Sequence, residues 1–186
     1  MNYKIEKITK KDYPQKLKDI TKSPEQIYYV GNIDLLFEDS FGIVGTRKIS
    51  EYGITNCKNF TKELVLRNIP IVSGMAIGTD TIAHKTTLEY SGKTIAVLGS
   101  GFNHIFPEEN IELFKNIVYS GGLIITEYEK NVEPDRYNFP KRNRIISALS
   151  EGILIIEAAY RSGTSITAKW AYKQGKKVFA LPRQIR

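Results

Sequence analysis

The chain reads as a doubly wound, Rossmann-like α/β domain with a mostly parallel sheet flanked by helices, and three observations predict it. Apolar runs of strand length recur along the 186 residues, amphipathic stretches separate them, and turn-forming or capping residues mark the junctions. Strands are predicted at residues 41–45, 69–73, 94–98, 123–126, 153–156 and 177–180. Helices are predicted at about 50–68, 80–91, 108–119, 142–150 and 165–174. Ser50, Thr79 or Asp80, and Thr164 or Ser165 serve as N-caps, while Gly92, Gly121 and Gly175 follow helical stretches as stops. Residues 1–40 form a Lys-rich preface with a short apolar piece, Ile27 to Val30, expected to pack on the sheet edge; residues 41–186 form the Rossmann-like domain.

Length and composition narrow the class. With 41% of residues hydrophobic, the chain supports one full core and not two. No apolar run approaches the ~18–20 residues needed to span a bilayer, and the charged N-terminus does not suit a signal peptide, so a cytoplasmic protein without membrane contact is expected. The single cysteine, Cys57, cannot form an internal disulfide and reads as a packed small hydrophobe. His84 and His104 are far apart and lack neighbouring carboxylates or thiols at ligand spacing, so no metal site is expected.

The charge is uneven. Residues 136–186 hold eleven Lys/Arg against two Asp/Glu, a local charge of +9, while residues 1–135 hold sixteen against eighteen, or −2. Within the basic third, Lys141, Arg142, Asn143 and Arg144 stand where a helix is expected to begin. Guanidinium forks and the free N–H groups of a helix entrance both suit phosphate oxygens. In an open α/β sheet, ligands bind beyond the carboxyl ends of the strands. There the chain places Gly45-Thr46-Arg47, a turn from Ser73 and Gly74 to Asp80, Gly99-Ser100-Gly101-Phe102, and a segment from Glu157 through Arg161 into Ser162-Gly163-Thr164. Such a rim is expected to receive phosphates on backbone N–H groups. Phe139 and Phe102 are the candidates for stacking bases.

Named nucleotide fingerprints are absent: Gly99-Ser100-Gly101 lacks a third motif glycine, and no glycine-rich loop ends in Gly-Lys-Ser/Thr. No NAD or ATP cofactor is therefore expected. Asp80, Glu127 and Glu157 lie near the rim and could act in acid–base chemistry, but strand-end carboxylates more commonly accept loop N–H bonds. Neither histidine has an evident nucleophile partner, so binding without covalent chemistry is the expectation, not an enzyme.

Several linked motifs occur in order: Tyr13-Pro14, Tyr28-Tyr29-Val30-Gly31-Asn32, Val44-Gly45-Thr46-Arg47, Ser73-Gly74-Met75-Ala76-Ile77-Gly78-Thr79-Asp80, Leu98-Gly99-Ser100-Gly101, Phe106-Pro107, Phe139-Pro140 with Arg142-Asn143-Arg144, and Ser162-Gly163. On these the chain closely resembles the DprA/Smf family, DNA-processing proteins of natural transformation, over about residues 13–182. The resemblance implies an extended Rossmann fold that binds single-stranded DNA, forms a homodimer, and hands the strand to the RecA recombinase. Most relatives add a helical N-terminal domain and a winged-helix C-terminal module, for which this sequence has no room; it is either a minimal member or a trimmed core. Two other readings share such a core: a nucleotide phosphoribohydrolase like the Lonely Guy family, and a nucleotide sensor. The first lacks its glutamate in the turn at Ser162-Gly163-Thr164-Ser165, and the second has no effector segment.

Overall fold

In the computed structural model, which describes residues 3–159 and 162–182, the apolar runs become one eight-stranded sheet. In chain order the elements are β1 (Glu6–Thr9), α1 (Gln15–Lys18), β2 (Gln26–Gly31), β3 (Ser40–Val44), α2 (Glu51–Val65), β4 (Ile71–Ser73), α3 (Thr79–Glu89), β5 (Thr94–Val97), α4 (Ile111–Tyr119), β6 (Leu123–Thr126), α5 (Asn138–Leu149), β7 (Ser150–Ile155), α6 (Gly163–Lys173) and β8 (Lys177–Ala180). The strand order is β1-β2-β6-β5-β4-β3-β7-β8. β3 to β8 run parallel, and the N-terminal preface adds β2 and β1 as antiparallel strands beyond β6.

Alternation along the strands assigns each helix to a face. Val44, Val72, Ile95, Val97 and Ile125 point to one side and pack with Leu17 of α1, Ile145 and Leu149 of α5, and Ala171 of α6. Their neighbours Ile43 and Ile71 point the other way, to Cys57 and Val65 of α2 and Ala83 of α3. Ala96 and Ile124 meet Leu113, Phe114 and Ile117 of α4. From β3 the chain steps outward through β4, β5 and β6, then crosses back under α5 to β7 on the other side of β3. The direction of winding therefore reverses between β3 and β7, and the crevice at their carboxyl ends is where such sheets bind ligands.

Three elements differ from expectation. β1 (Glu6–Thr9) is a strand where none is predicted, because its Glu-Lys-Ile-Thr sequence is no apolar run and it is held by pairing along β2. α5 starts at Asn138 and not at residue 142, because Pro140 lies in the first helical turn, where a missing N–H costs nothing. Residues 142–149 then all fall inside the helix and are all buried. β7 starts directly at Ser150, so no loop separates it from α5.

His84 sits fully inside, on α3. The Thr94 hydroxyl donates to the Ile71 carbonyl at 2.7 Å, so the contact at 2.7 Å between Thr94 Oγ1 and His84 Nδ1 requires Nδ1–H to donate. Burial, with repulsion from Arg142, lowers the ring's pKa from 6.5 to about 3. The unfolded chain takes up a proton at His84 below about pH 6.5 that the folded protein refuses until about pH 3. This contribution to stability is thus present above the upper value and lost as pH falls through the window. Urea unfolding across pH should show stability falling with acidity there, and a shallower slope in His84→Gln. An unchanged slope would contradict the assignment.

Candidate nucleic-acid interface

A cleft of about 550 Å³ opens at the β3/β7 reversal. One wall is the turn after β3, from Gly45 to Arg47; another is the first turn of α5 with the preceding loop at Pro134 and Arg136; the third is the start of α6, from Ser162 to Thr167. Arg161 lies outside the described residues.

The cations fall into two groups. Arg47 and Arg136 are exposed, each near an aromatic face: Arg47 lies 5.7 Å from the centre of Phe139, and Arg136 lies 4.7 Å from the centre of Tyr137. Lys141 is also exposed, but its ammonium is 3.1 Å from Glu127 and lies over the Tyr128 ring. Arg142 and Arg144 are interior. Arg142 lies at the floor of the cleft, 4% exposed, and donates to the carbonyls of Gly74 (2.6 Å) and Val97. Burial lowers its pKa to about 10, partly opposed by Asp80, so it stays charged at neutral pH. Burial likewise raises the Asp80 carboxyl, with Arg142 opposing.

Arg144 corrects the sequence expectation. At 1% exposure it forks onto Glu127 at 2.6 and 2.8 Å and donates through Nε to the Lys22 carbonyl at 2.9 Å. Its donors are occupied inside the protein, so it cannot reach a phosphate. Burial pushes the Glu127 carboxyl up, but Arg144 and Lys141 outweigh this and hold it below its ordinary value. Glu157 similarly accepts from the Ser50 backbone N–H at 2.9 Å and from its hydroxyl at 2.6 Å, fixing the entrance to α2. Glu127 and Glu157 thus fasten the rim to its neighbours.

The glycine-rich turns also divide. An added Cβ at Gly74 would fall 2.8 Å from both Arg142 and Asp80, and one at Gly99 would fall 2.6 Å from the Phe139 ring. Gly45 lies hard against Thr79. These glycines admit protein side chains, not anions. Ser73 is fully buried, with its hydroxyl donating to Ile43 at 2.7 Å, so the Ser73-Gly74 turn does not supply the expected donors. Thr46 remains on the cleft wall, its hydroxyl accepting from the Lys48 N–H at 3.1 Å. At α6 the arrangement differs: Ser162 is the N-cap, and a Cβ at Gly163 would meet nothing within 4 Å. The Gly163 and Thr164 N–H groups stand at a helix entrance lining the cleft, with Thr164 itself largely buried. Asn143 links the walls, accepting from Arg142 Nε at 3.1 Å and donating to the Gly163 carbonyl at 3.2 Å.

Of the expected stacking residues, Phe139 is half-buried at the cleft. Phe102 is a core residue, edge-on to Phe114 at 6.1 Å, and cannot meet a base. The residue overlooked as a stacking candidate is Phe106, exposed and 5.6 Å from Phe139. Its signal was the Phe-Pro pair in a loop after a strand. Arg136, counted only as charge, is the second omission.

These roles separate by mutation. Arg144→Ala removes the bidentate partner of the buried Glu127 charge, leaving only the exposed Lys141 beside it, and should cost about 3–5 kcal/mol in urea unfolding, with much of the loss recovered when both partners become Met. Arg47→Ala should stay within ~0.5 kcal/mol of the parent. Equal stability of the two single variants would refute the division.

The sequence model of the family described as DNA recombination-mediator protein A matches residues 4–186. The Protein Smf of Escherichia coli K12 is 42% identical over 173 residues, which is 93% of this chain and 46% of that protein. The chain spans about half the length of the curated relatives it matches. The crystal structure of DNA processing protein A from Streptococcus pneumoniae superposes with a TM-score of 0.90 at 38% identity, covering 98% of this chain and 64% of that one. A Helicobacter pylori DNA processing protein A, described for its single-stranded DNA binding mode, superposes at 0.91 and 30% identity, covering 99% and 83%. With the family's motifs on the rim of the same fold, this chain belongs to the DNA recombination-mediator protein A family, the DprA/Smf proteins.

Proposed function

We propose that the cleft binds the backbone of single-stranded DNA without covalent chemistry, as the DNA-holding core of a protein that protects incoming strands in transformation and passes them to the RecA recombinase. The observation that carries this reading is the pairing of the open α6 entrance at Gly163 with the exposed guanidinium of Arg47 across one cleft at the sheet's switch point. In this reading Arg47, Arg136 and Lys141 take phosphates, Ser162, Gly163 and Thr164 donate N–H and hydroxyl groups, and Thr46 shapes the wall. Arg142 contributes positive potential from the floor, and Asn143 holds the walls in register. The single-strand binding described for the Helicobacter pylori relative supports the ligand class.

Single-strand binding through about three to five phosphates gives a log–log salt slope of roughly −2 to −3.5, from about −0.7 per contact. Anisotropy with labelled oligo-dT across a salt series should show that slope, with weaker binding to duplex, and Arg47→Ala should flatten it by about 0.7. Equal affinity for duplex, or binding indifferent to salt, would overturn the reading.

The proposal includes a two-fold dimer, in which two clefts share one strand and the second contact gains from effective concentration. In this reading the interface lies in the C-terminal half, with the α6 helix of Trp170 and Tyr172 as its candidate contributor; Tyr172 is 82% exposed. Sedimentation should find a dimer at micromolar concentration, with long oligonucleotides bound more tightly than short ones. A monomer indifferent to length would remove this part.

A further inference from the structure

Much of the charge of the basic C-terminal third lies away from the cleft. Arg142 and Arg144 are interior, while Lys169 and Lys173 on α6, with Lys176 and Lys177 just beyond it, take no part in the cleft lining. From Ser162 to Pro182 the sequence holds no Asp or Glu to balance them. We propose that a bound single strand continues out of the cleft along the exposed face of α6 and ends in a second, lysine-lined pocket between α1 and α6, which holds its phosphates and stacks a base on Trp170. The inference rests on reading the cleft as a single-strand site and adds a second contact to it.

α6 begins at the cleft and leads to this pocket. It buries Thr164, Thr167 and Ala171, so its opposite face carries Ser162, Ser165, Lys169 and Lys173 in one row at three- and four-residue spacing. At 1.5 Å per residue the row spans roughly 16 Å. At its far end lies a pocket of about 280 Å³, where Lys16, Lys173 and Lys176 gather around Trp170 and Asp19 is the one acid on the lining among the described residues. Asp19 already accepts from the Gln15 amide, and Lys176 lies 3.5 Å from Glu151. Lys173 holds its ammonium 5.6 Å from the centre of the Trp170 ring. Lys16 is half-buried and donates to the Glu38 carbonyl; burial lowers its pKa, Asp39 and Glu151 oppose this, and Lys176 adds repulsion that a phosphate would relieve. A row of ammonium groups suits successive phosphates and an indole suits a base, which is how sequence-tolerant single-strand sites are built. Continuity with the open helix entrance at Gly163 selects the strand over an acidic peptide, which would need the lysines but not the row. Tyr172 stands about 160° around α6 from Trp170, so a two-fold contact through it leaves the pocket open.

Trp170 is the single tryptophan, so its emission reports this pocket in the unmodified chain. The test compares the shortest oligo-dT that binds with one several nucleotides longer, by anisotropy across a salt series and by Trp170 fluorescence. The longer oligomer should quench Trp170 and the short one should leave it unchanged. The longer oligomer should also show a salt slope steeper by about 1.4, from two further phosphates at about 0.7 each. Lys169→Gln with Lys173→Gln, both at exposed positions, should abolish the quenching and the added slope while binding the short oligomer as the parent does. Trp170 indifferent to the longer oligomer, or a double variant that keeps the added slope or weakens the short oligomer equally, would overturn the track alone. A short oligomer indifferent to Arg47→Ala would remove the cleft reading, and the continuation with it, even where Trp170 is quenched.

Discussion

Arg142 reaches from the second turn of α5 to the carboxyl ends of two neighbouring strands, donating to Gly74 beyond β4 and to Val97 of β5. Strand-end carbonyls at the edge of a parallel sheet need donors, and a buried guanidinium needs acceptors, so each meets a requirement of the other. The Nε of the same side chain orients Asn143, and Asn143 holds the Gly163 carbonyl at the start of α6. One hydrogen-bonded chain thus runs from the sheet through α5 to the open helix entrance. The width of the cleft depends on it. Burying such a cation is unfavourable unless its partners are complete, and Asp80, raised by burial yet held back by Arg142, lies alongside.

The basic C-terminal third therefore does two different jobs. Arg142 and Arg144 are scaffolding: the first ties α5 to the sheet, the second ties it to Glu127 and to the Lys22 carbonyl of the N-terminal preface. Arg47, Arg136 and the open start of α6 face solvent and remain available. A cleft held by internal charge pairs is already in shape when a ligand arrives, which lowers the ordering cost of binding.

The strands from β2 to β8 are readable because each holds a short apolar run, whereas β1, Glu-Lys-Ile-Thr, carries no such run and owes its form to pairing with β2; the assignment of opposite faces follows from simple alternation at pairs such as Ile43 and Val44. The sequence starts this helix at residue 142, whereas Pro140 sits in the first turn of a helix that begins at Asn138, and the four-residue difference carries Arg142 and Arg144 from an expected entrance into the interior. Gly74, Gly99 and Gly163 look alike in sequence, each following a strand or loop. Only their neighbours distinguish a glycine that admits Arg142, one that seats Phe139 and one that faces open space. Phe102 and Phe106 pose the same problem four residues apart, one packed on Phe114 and the other exposed beside Phe139. Local sequence carries periodicity well and carries which side chain fills which gap poorly.

The most direct test of this account is an NMR titration of the isotope-labelled chain with oligo-dT, following backbone amides and arginine Nε–H signals at two salt concentrations. The account predicts salt-sensitive shifts at the Gly163 and Thr164 amides and at Arg47, with the Arg144 Nε–H signal unmoved because it remains on the Lys22 carbonyl. A response at Arg144 with Gly163 and Arg47 silent would contradict it.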